Sequence, residues 1–424
     1  MRERHPRSFD ALIWPVVILG DTLVLLSFVA SGFLVVHRLA GQHGDLAIVG
    51  AGFAGVYVLV VHWAAWLGTR LGFKRVAVAG GAVLIVAPLV MSQATGLWGV
   101  VAGMGLIGVG GGMMWPNLEA ELSRGRQGPL LRRRLSMFNT MWCVGTLVGP
   151  LLCGWLYPSE AVVKAAGGGE AINVAYYVAA GLAVVMVALL VLWRARLPSA
   201  QEVERDLHTE EPVDPVKLRA FLLMSYVANL MCYVVLGVLR QLYESLADHQ
   251  WHGQGAAQIH SWLLVLLAGT SAATFAALYF AQRWPYRLKR YMLYQALMVG
   301  GLMLVATTGN IALAMVGFAA VGVASSFFYS GSLFYSIEGR EESKHMAGWH
   351  EMIVGLGNLG GLLLAGNVPA LLAALGVSNE EWLIRSPYLV VTGLFAAAAV
   401  VQLGIYGWLR PRFGQVAAGR TGGG

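Results

Sequence analysis

Charge is what this sequence has least of. Asp, Glu, Lys and Arg make up 12% of its 424 residues, about half the ~25% of an ordinary soluble domain. A water-soluble chain of this length needs charge over its whole wetted surface, so the shortage excludes a string of soluble domains and points to an exterior that faces lipid. Cysteine is scarce too. Cys143, Cys153 and Cys232 are the three, and each lies inside an apolar run, where it reads as a small packing residue and excludes a disulfide framework. The sequence has no Walker loop with its Lys, no H-E-x-x-H and no paired C-x-x-C. ATP drive within the chain is therefore not expected, nor is a metal site or a cofactor. Long polar stretches are missing as well: the most polar, Arg194 to Lys217, is too short to be a domain. The net charge of +7 is spread in small basic clusters between apolar runs, which argues against a nucleic-acid partner.

Apolar residues are plentiful, at 57%, and they fall in long blocks. A bilayer core takes ~20 residues of helix, and lipid-facing backbone must bond within its own segment. The alternating strands of ~10 residues that mark a barrel are absent. The blocks predict twelve spans, at 11–36, 46–68, 75–92, 97–118, 135–157, 174–194, 218–243, 257–282, 290–308, 311–337, 346–370 and 387–409. The first follows a basic start, as a signal peptide would, but it is too long, contains Asp21 and lacks a small-residue cleavage site, so it reads as a retained helix. The expected fold class is an all-α membrane protein of twelve transmembrane helices. Residues 1–194 and 218–424 form two six-helix bundles, and 195–217 is a cytoplasmic linker.

Orientation follows from the basic residues, which concentrate on cytoplasmic loops. With both termini placed in the cytoplasm, all of the 29 Lys and Arg fall on that side except Arg38, Lys164, Arg240 and Arg385. A wrong number of spans would scramble this alternation. The expected location is therefore the cytoplasmic (inner) membrane, as a multi-pass protein.

The halves also echo each other: Gly145, Gly149 and Gly154 lie 212 residues before Gly357, Gly361 and Gly366. The loop after the second span reads Gly68-Thr69-Arg70-Leu71-Gly72-Phe73-Lys74-Arg75. It resembles the loop signature G-x-x-x-D-R-x-G-R-R of the major facilitator superfamily. Arg70, Gly72 and Lys74 match, Thr69 stands at the Asp, and Ala65 at the first Gly. The fifth span, Gly145-x-x-x-Gly149-Pro150-x-x-Cys153-Gly154, resembles the end of that family's antiporter motif, with Cys153 in place of one Gly. Met104 stands where its exporters often carry Arg. The resemblance implies a secondary transporter with two pseudo-symmetric six-helix bundles around a central cavity. Alternating access would move a small solute, with a lean to efflux. It also implies a gating loop at Arg70, Gly72 and Lys74, helix packing at Gly145, Gly149, Pro150 and Gly154, a lipid bilayer as surroundings and function as a monomer. Uncoupled or symport uptake of a sugar or organic anion is an alternative; a membrane-embedded enzyme or a sensor is one from another class. No catalytic group is marked, and an enzyme is not expected.

Within the spans, Asp21 is the first candidate for proton coupling. An ionised carboxylate near mid-bilayer costs at least ~2.5 kcal/mol on insertion scales, which suits a group that takes up and releases a proton. The bland alternative is a carboxyl satisfied by neighbouring hydroxyls. His350 and Glu351 come next, as a pair able to share a proton. Consecutive helical residues point ~100° apart, so the two need not touch, and both could instead meet the loop charges Arg340 and Lys344. Arg240 suits an anionic solute or snorkels at the outer boundary. Asn139, Trp142, Asn229, Tyr329, Tyr335 and Asn358, with Trp115, are candidates for a solute-lining set, each of which packing alone would also explain. His62 reads as a packing histidine. Two G-x-G-x-x-G strings, at Gly103 and Gly355, sit inside apolar helical runs and are not nucleotide loops; spaced glycines there let helices pack closely.

Overall fold

A computed structural model describes residues 10–39, 43–156, 170–195, 197–199, 214–251, 256–281, 283–338 and 343–413. Residues 196 and 200–213 of the expected linker 195–217 lie outside them, as do Arg2, Arg4, Arg7, Lys164, Arg340 and Arg420.

The described residues form helices and no strand. In chain order these are α1 (Ile13–Phe33), α2 (His43–Leu71), α3 (Phe73–Ser92), α4 (Leu97–Ser123), α5 (Gly128–Leu156), α6 (Glu170–Leu192), α7 (Pro215–Gln241), α8 (Tyr243–Gln250), α9 (Ala256–Phe280), α10 (Leu288–Thr307), α11 (Ile311–Ile337), α12 (Ser343–Ala374) and α13 (Glu380–Leu409). Twelve are long, and α8 is a short helix that directly follows α7. Eleven of the twelve are long and apolar enough to cross a membrane. The twelfth, α10, has its apolar content diluted by Lys289, Arg290, Tyr294 and Gln295. Large apolar side chains stand outward, Trp155 at 76% exposure and Phe280 at 79% among them. In water such surface costs ~25 cal/mol per Å²; against acyl chains it does not. The chain is an integral, multi-pass membrane protein.

The helices start where local chemistry lets them. Asp214 accepts from the Val216 N–H at 2.9 Å ahead of Pro215, a cap followed by the residue best suited to a first helical turn. Asn310 and Asn379 cap α11 and α13 in the same way. Between α2 and α3 the turn is a single residue, Gly72, at φ 96°, a left-handed conformation that glycine adopts without a Cβ clash.

Several helices outrun their apolar cores. α5 begins at Gly128, not near 135, which puts Arg132, Arg133 and Arg134 inside it. α4 runs on to Ser123 and carries Glu119 and Glu121. α13 begins at Glu380, not 387. A helix continues until a cap or turn stops it, whereas hydropathy marks only the apolar part.

Contacts divide the chain into two compact units. The first comprises 1–124, 138–197 and 347–363; the second comprises 125–137, 198–346 and 364–424. Thus α5 and α12 each belong to both units, part by part. In the first unit α3 lies between α4 and α6, α2 packs on α4, and α1 on α6. Met104, Met114, Trp115, Phe138, Tyr176, Met186 and Trp193 fill its core. In the second, α9 and α10 pack on α11, and α7 on α11 and α13. Its core is aromatic: Tyr294 stacks on Phe327 at 3.9 Å, and Phe221 meets the rings of Tyr286, Tyr291 and Tyr335. The start of α5 is held in this unit. Glu338, just past α11, accepts from the Gly128 N–H at 3.1 Å, a carboxylate at the positive end of a helix. Arg132 lies over the Phe334 ring at 5.5 Å.

Candidate functional site

The first unit holds two buried acidic stations. Asp21 sits eight residues into α1, ~12 Å along its axis, and is 2% exposed. The Thr146 hydroxyl of α5 donates to its carboxylate at 2.6 Å. That bond depends on how closely the helices approach. A Cβ on Gly145 would lie 2.6 Å from the Ile18 carbonyl oxygen and 2.8 Å from the Asp21 Cβ; one on Gly149 would lie 2.8 Å from the Thr22 oxygen. Only glycine permits both approaches. Gly154, grouped with them in the sequence, faces open space, with nothing within 4 Å of a Cβ placed there. Among the described residues, two turns of α5 hold the α1 contact, and the third glycine lies beyond it.

The second station joins three helices. The Tyr57 hydroxyl of α2 donates to the Glu351 carboxylate of α12. His350 Nε2 lies 3.8 Å from Glu351 Oε1, so the two neighbours do meet. Glu119 of α4 completes the group. One donor atom from each of Glu119, His350 and Glu351 lies within 4.8 Å of the others, and all three residues are buried. The atoms are close enough to hold one metal ion between them, and close enough for the charge on one carboxylate to act on the other.

Trp115 stands between the stations. Its ring tip is 3.0 Å from a Cβ built on Gly20, next to Asp21. It meets the Phe138 ring at 6.2 Å and lies four residues, one turn, before Glu119. Glu119 and Tyr57 are the residues that sequence reasoning missed. The signal for Glu119 was its spacing, seven after Gly112 and eleven after Gly108. Both glycines press on α2, at the Val60 and Tyr57 level and the Phe53 level respectively, so Glu119 shares their face. Asn117 reaches the same helix, donating to the Ala64 oxygen at 3.2 Å.

The other sequence candidates fall in different places. Asn139 is 1% exposed, and neither its amide oxygen nor its nitrogen has a hydrogen-bond partner among the described residues. It shares one face of α5 with Trp142 and Thr146, three and seven residues on. Asn358 turns back to the Val354 oxygen on its own helix at 3.3 Å. In the second unit Asn229 is fully buried and, among the described residues, equally unpartnered. Tyr329 meets Tyr233 at 6.1 Å and Phe275 at 6.0 Å. Tyr335 is committed to the aromatic core, its hydroxyl accepting from the Tyr286 N–H at 3.0 Å. Arg240 is half-buried in the last turn of α7. In the last turn of α2, Arg70 stacks over Trp66 at 4.2 Å. Lys74 donates to the Val191 and Trp193 carbonyls at 2.7 and 2.5 Å, closing the end of α6. Thr69 bonds back to Trp66 of its own helix at 2.7 Å. His62 packs edge-on to Trp349, 5.9 Å between centroids.

Twelve long helices, eleven of them apolar enough to cross a membrane, with buried acids among them, form the frame of this site. Residues 17–361 match the Major Facilitator Superfamily, and the chain belongs to that family. It is thus a transporter of small solutes by class. No curated protein sequence matches it. Among the solved structures that share its fold are two other transporters. The crystal structure of the human organic anion transporter MFSD10 (TETRAN) is 15% identical at a TM-score of 0.69, with 94% of this chain and 100% of that one covered. The crystal structure of a point mutant of the nucleoside transporter NupG is 13% identical at a TM-score of 0.61, with the same coverage.

Proposed function

We propose that this protein is a proton-coupled secondary transporter that exports a small solute across the cytoplasmic membrane by alternating access, working as a monomer with both termini in the cytoplasm. The observation that carries this reading is the Asp21–Thr146 pair, a carboxyl buried on a membrane helix and bonded to a hydroxyl of the helix beside it. An ion that no substrate needed would be a standing cost in that position. A group that alternates between loaded and empty is a use for it, and His350 with Glu351 supplies a second place for a proton in the same unit.

Asn139 and Trp142 supply the solute contact in the first unit; Asn229, Arg240 and Tyr329 supply it in the second, with Asn358 on α12. A buried carboxamide left without partners costs roughly 1–3 kcal/mol. A solute that brings a donor and an acceptor relieves that cost at Asn139 and Asn229. Organic anions and nucleosides, carried by the two proteins of like fold, are the first solutes to assay.

The test is flux in proteoliposomes with an imposed pH gradient. A gradient is expected to drive solute against its own concentration. Asp21→Asn is expected to abolish that drive while solute exchange at equilibrium continues. Gradient-driven accumulation that is unchanged in Asp21→Asn removes Asp21 from the mechanism.

A further inference from the structure

Glu119 has no part in the reading above, yet its carboxylate shares a space with His350 and Glu351. The segment that brings those two residues there, 347–363, belongs to the first unit although it lies far from the rest of that unit in the chain. We propose that Glu119 and Glu351, with His350 beside them and Tyr57 donating to one of them, form a single proton-binding site, and that its proton fastens the 347–363 stretch of α12 onto α2 and α4. The proposal rests on the proton-coupled reading and names a further residue for it.

The argument is electrostatic. Two carboxylates with oxygen atoms inside 4.8 Å, buried among membrane helices, repel when both are ionised, and burial weakens the screening of that repulsion. One proton between them removes one of the two charges. Groups this close titrate as a pair, not as separate residues. Glu119 from α4, Tyr57 from α2, and His350 and Glu351 from α12 are among the groups that face the site. Glu121, two residues along α4, pairs with Arg124 at 3.6 Å. His62, further along α2, is packed on Trp349.

The two glutamates stand on different helices, so the repulsion acts across the α4–α12 contact. The seat of α12 in this unit is tight: a Cβ on Gly348 would lie 2.8 Å from Ala65, and one on Gly355 would lie 2.6 Å from Val58 Cγ2. Backbone packed this closely has no slack to absorb a push. Loss of the proton is therefore delivered as a loosening of 347–363 from α2 and α4.

Infrared difference spectroscopy on the purified chain reads the carboxyl carbonyl stretch as a function of pH. Comparing wild type with Glu119→Gln and with Glu351→Gln isolates the two groups. The expected result is coupling: substituting either glutamate moves the pH at which the other loses its proton by about one unit or more. Tyr57→Phe, which removes only a hydroxyl, is expected to move the pair together and serves if a glutamine variant does not fold. Hydrogen exchange is read on the same samples. In wild type, exchange in 347–363 is expected to speed up as the pair deprotonates, and in Glu119→Gln that pH dependence flattens.

Independent titration of the two glutamates overturns the proposal, as does exchange in 347–363 that ignores the pair. Stoichiometric Co²⁺ binding at neutral pH that Glu119→Gln and Glu351→Gln abolish also overturns it, because the site is then a metal site. These readouts need no transport. A coupled pair in a chain without pH-driven flux sinks the coupling reading alone. Asp21-dependent flux with uncoupled glutamates sinks this proposal alone.

Discussion

Replacing Gly145 with alanine adds one methyl group and tests the α1–α5 contact on which the Asp21 station stands. The new Cβ would sit 2.6 Å from the Ile18 carbonyl oxygen, 2.8 Å from the Asp21 Cβ and 3.0 Å from the Thr22 nitrogen. Two of these are backbone atoms, which cannot swing aside. Reaching ordinary van der Waals distance, about 3.4 Å, needs the helices to separate by roughly 0.6–0.8 Å. The next residue carries the Thr146 hydroxyl, 2.6 Å from Asp21. The same displacement takes that bond to about 3.2–3.4 Å, at or past the limit for a useful hydrogen bond. Overpacking costs about 1–3 kcal/mol, and a hydrogen bond to a charged group is worth about 1.5–3 kcal/mol. A loss near 3 kcal/mol lowers the melting temperature by roughly 5–10 °C.

The assay is thermal unfolding in detergent, with two companions. Gly154→Ala, which meets nothing within 4 Å, is expected to melt within a degree or two of wild type, or slightly above it, because alanine is the better helix former by about 1 kcal/mol. Thr146→Val removes the hydroxyl without spreading the helices and is expected to show only the hydrogen-bond part of the loss. Gly145→Ala melting like Gly154→Ala would refute the close approach, and with it the reason that Asp21 and Thr146 meet.

Two further outcomes follow from other contacts. Gln295→Leu alone strands the buried amide of Gln402, its partner across α10 and α13, and is expected to cost about 1–3 kcal/mol; the double substitution with Gln402→Leu recovers most of it, which a double-mutant cycle in thermal unfolding measures. Lys74→Ala removes the donor to two carbonyls at the end of α6 and is expected to destabilise by about 1–2 kcal/mol, read as faster hydrogen exchange in the last turn of α6, whereas Lys74→Arg keeps a cation there and loses less.

The helices were legible because hydrocarbon leaves a chain so few choices. Every predicted span corresponds to a helix, and the apolar runs locate each one. Their ends were less legible. Arg132, Arg133 and Arg134 read as loop because charge ends an apolar run, but α5 carries them as helix, its start held by Glu338. The same rule hid Glu119, which lies on the continuation of α4 past Pro116. An acid near a helix end looks like a loop acid until a second helix is seen to cover it, and that helix, α12, comes from more than 200 residues away in the chain. The burial of Asp21 was legible because it is alone in its run. Tyr335 was not, because an aromatic that lines a passage and one that fills a core have the same sequence. Only the bond from Tyr286 tells them apart.

The shared membership of α5 and α12 bears on how the gene can be cut. Severing the chain in the polar stretch between α6 and α7 gives two polypeptides, neither of which owns a complete unit: the amino-terminal piece lacks 347–363, and the carboxy-terminal piece lacks 125–137. Each must take in a rod from the other to finish its own interior. Expressed singly, the fragments are expected to be degraded; expressed together, they should co-purify, bound by two reciprocal insertions instead of a single covalent tether.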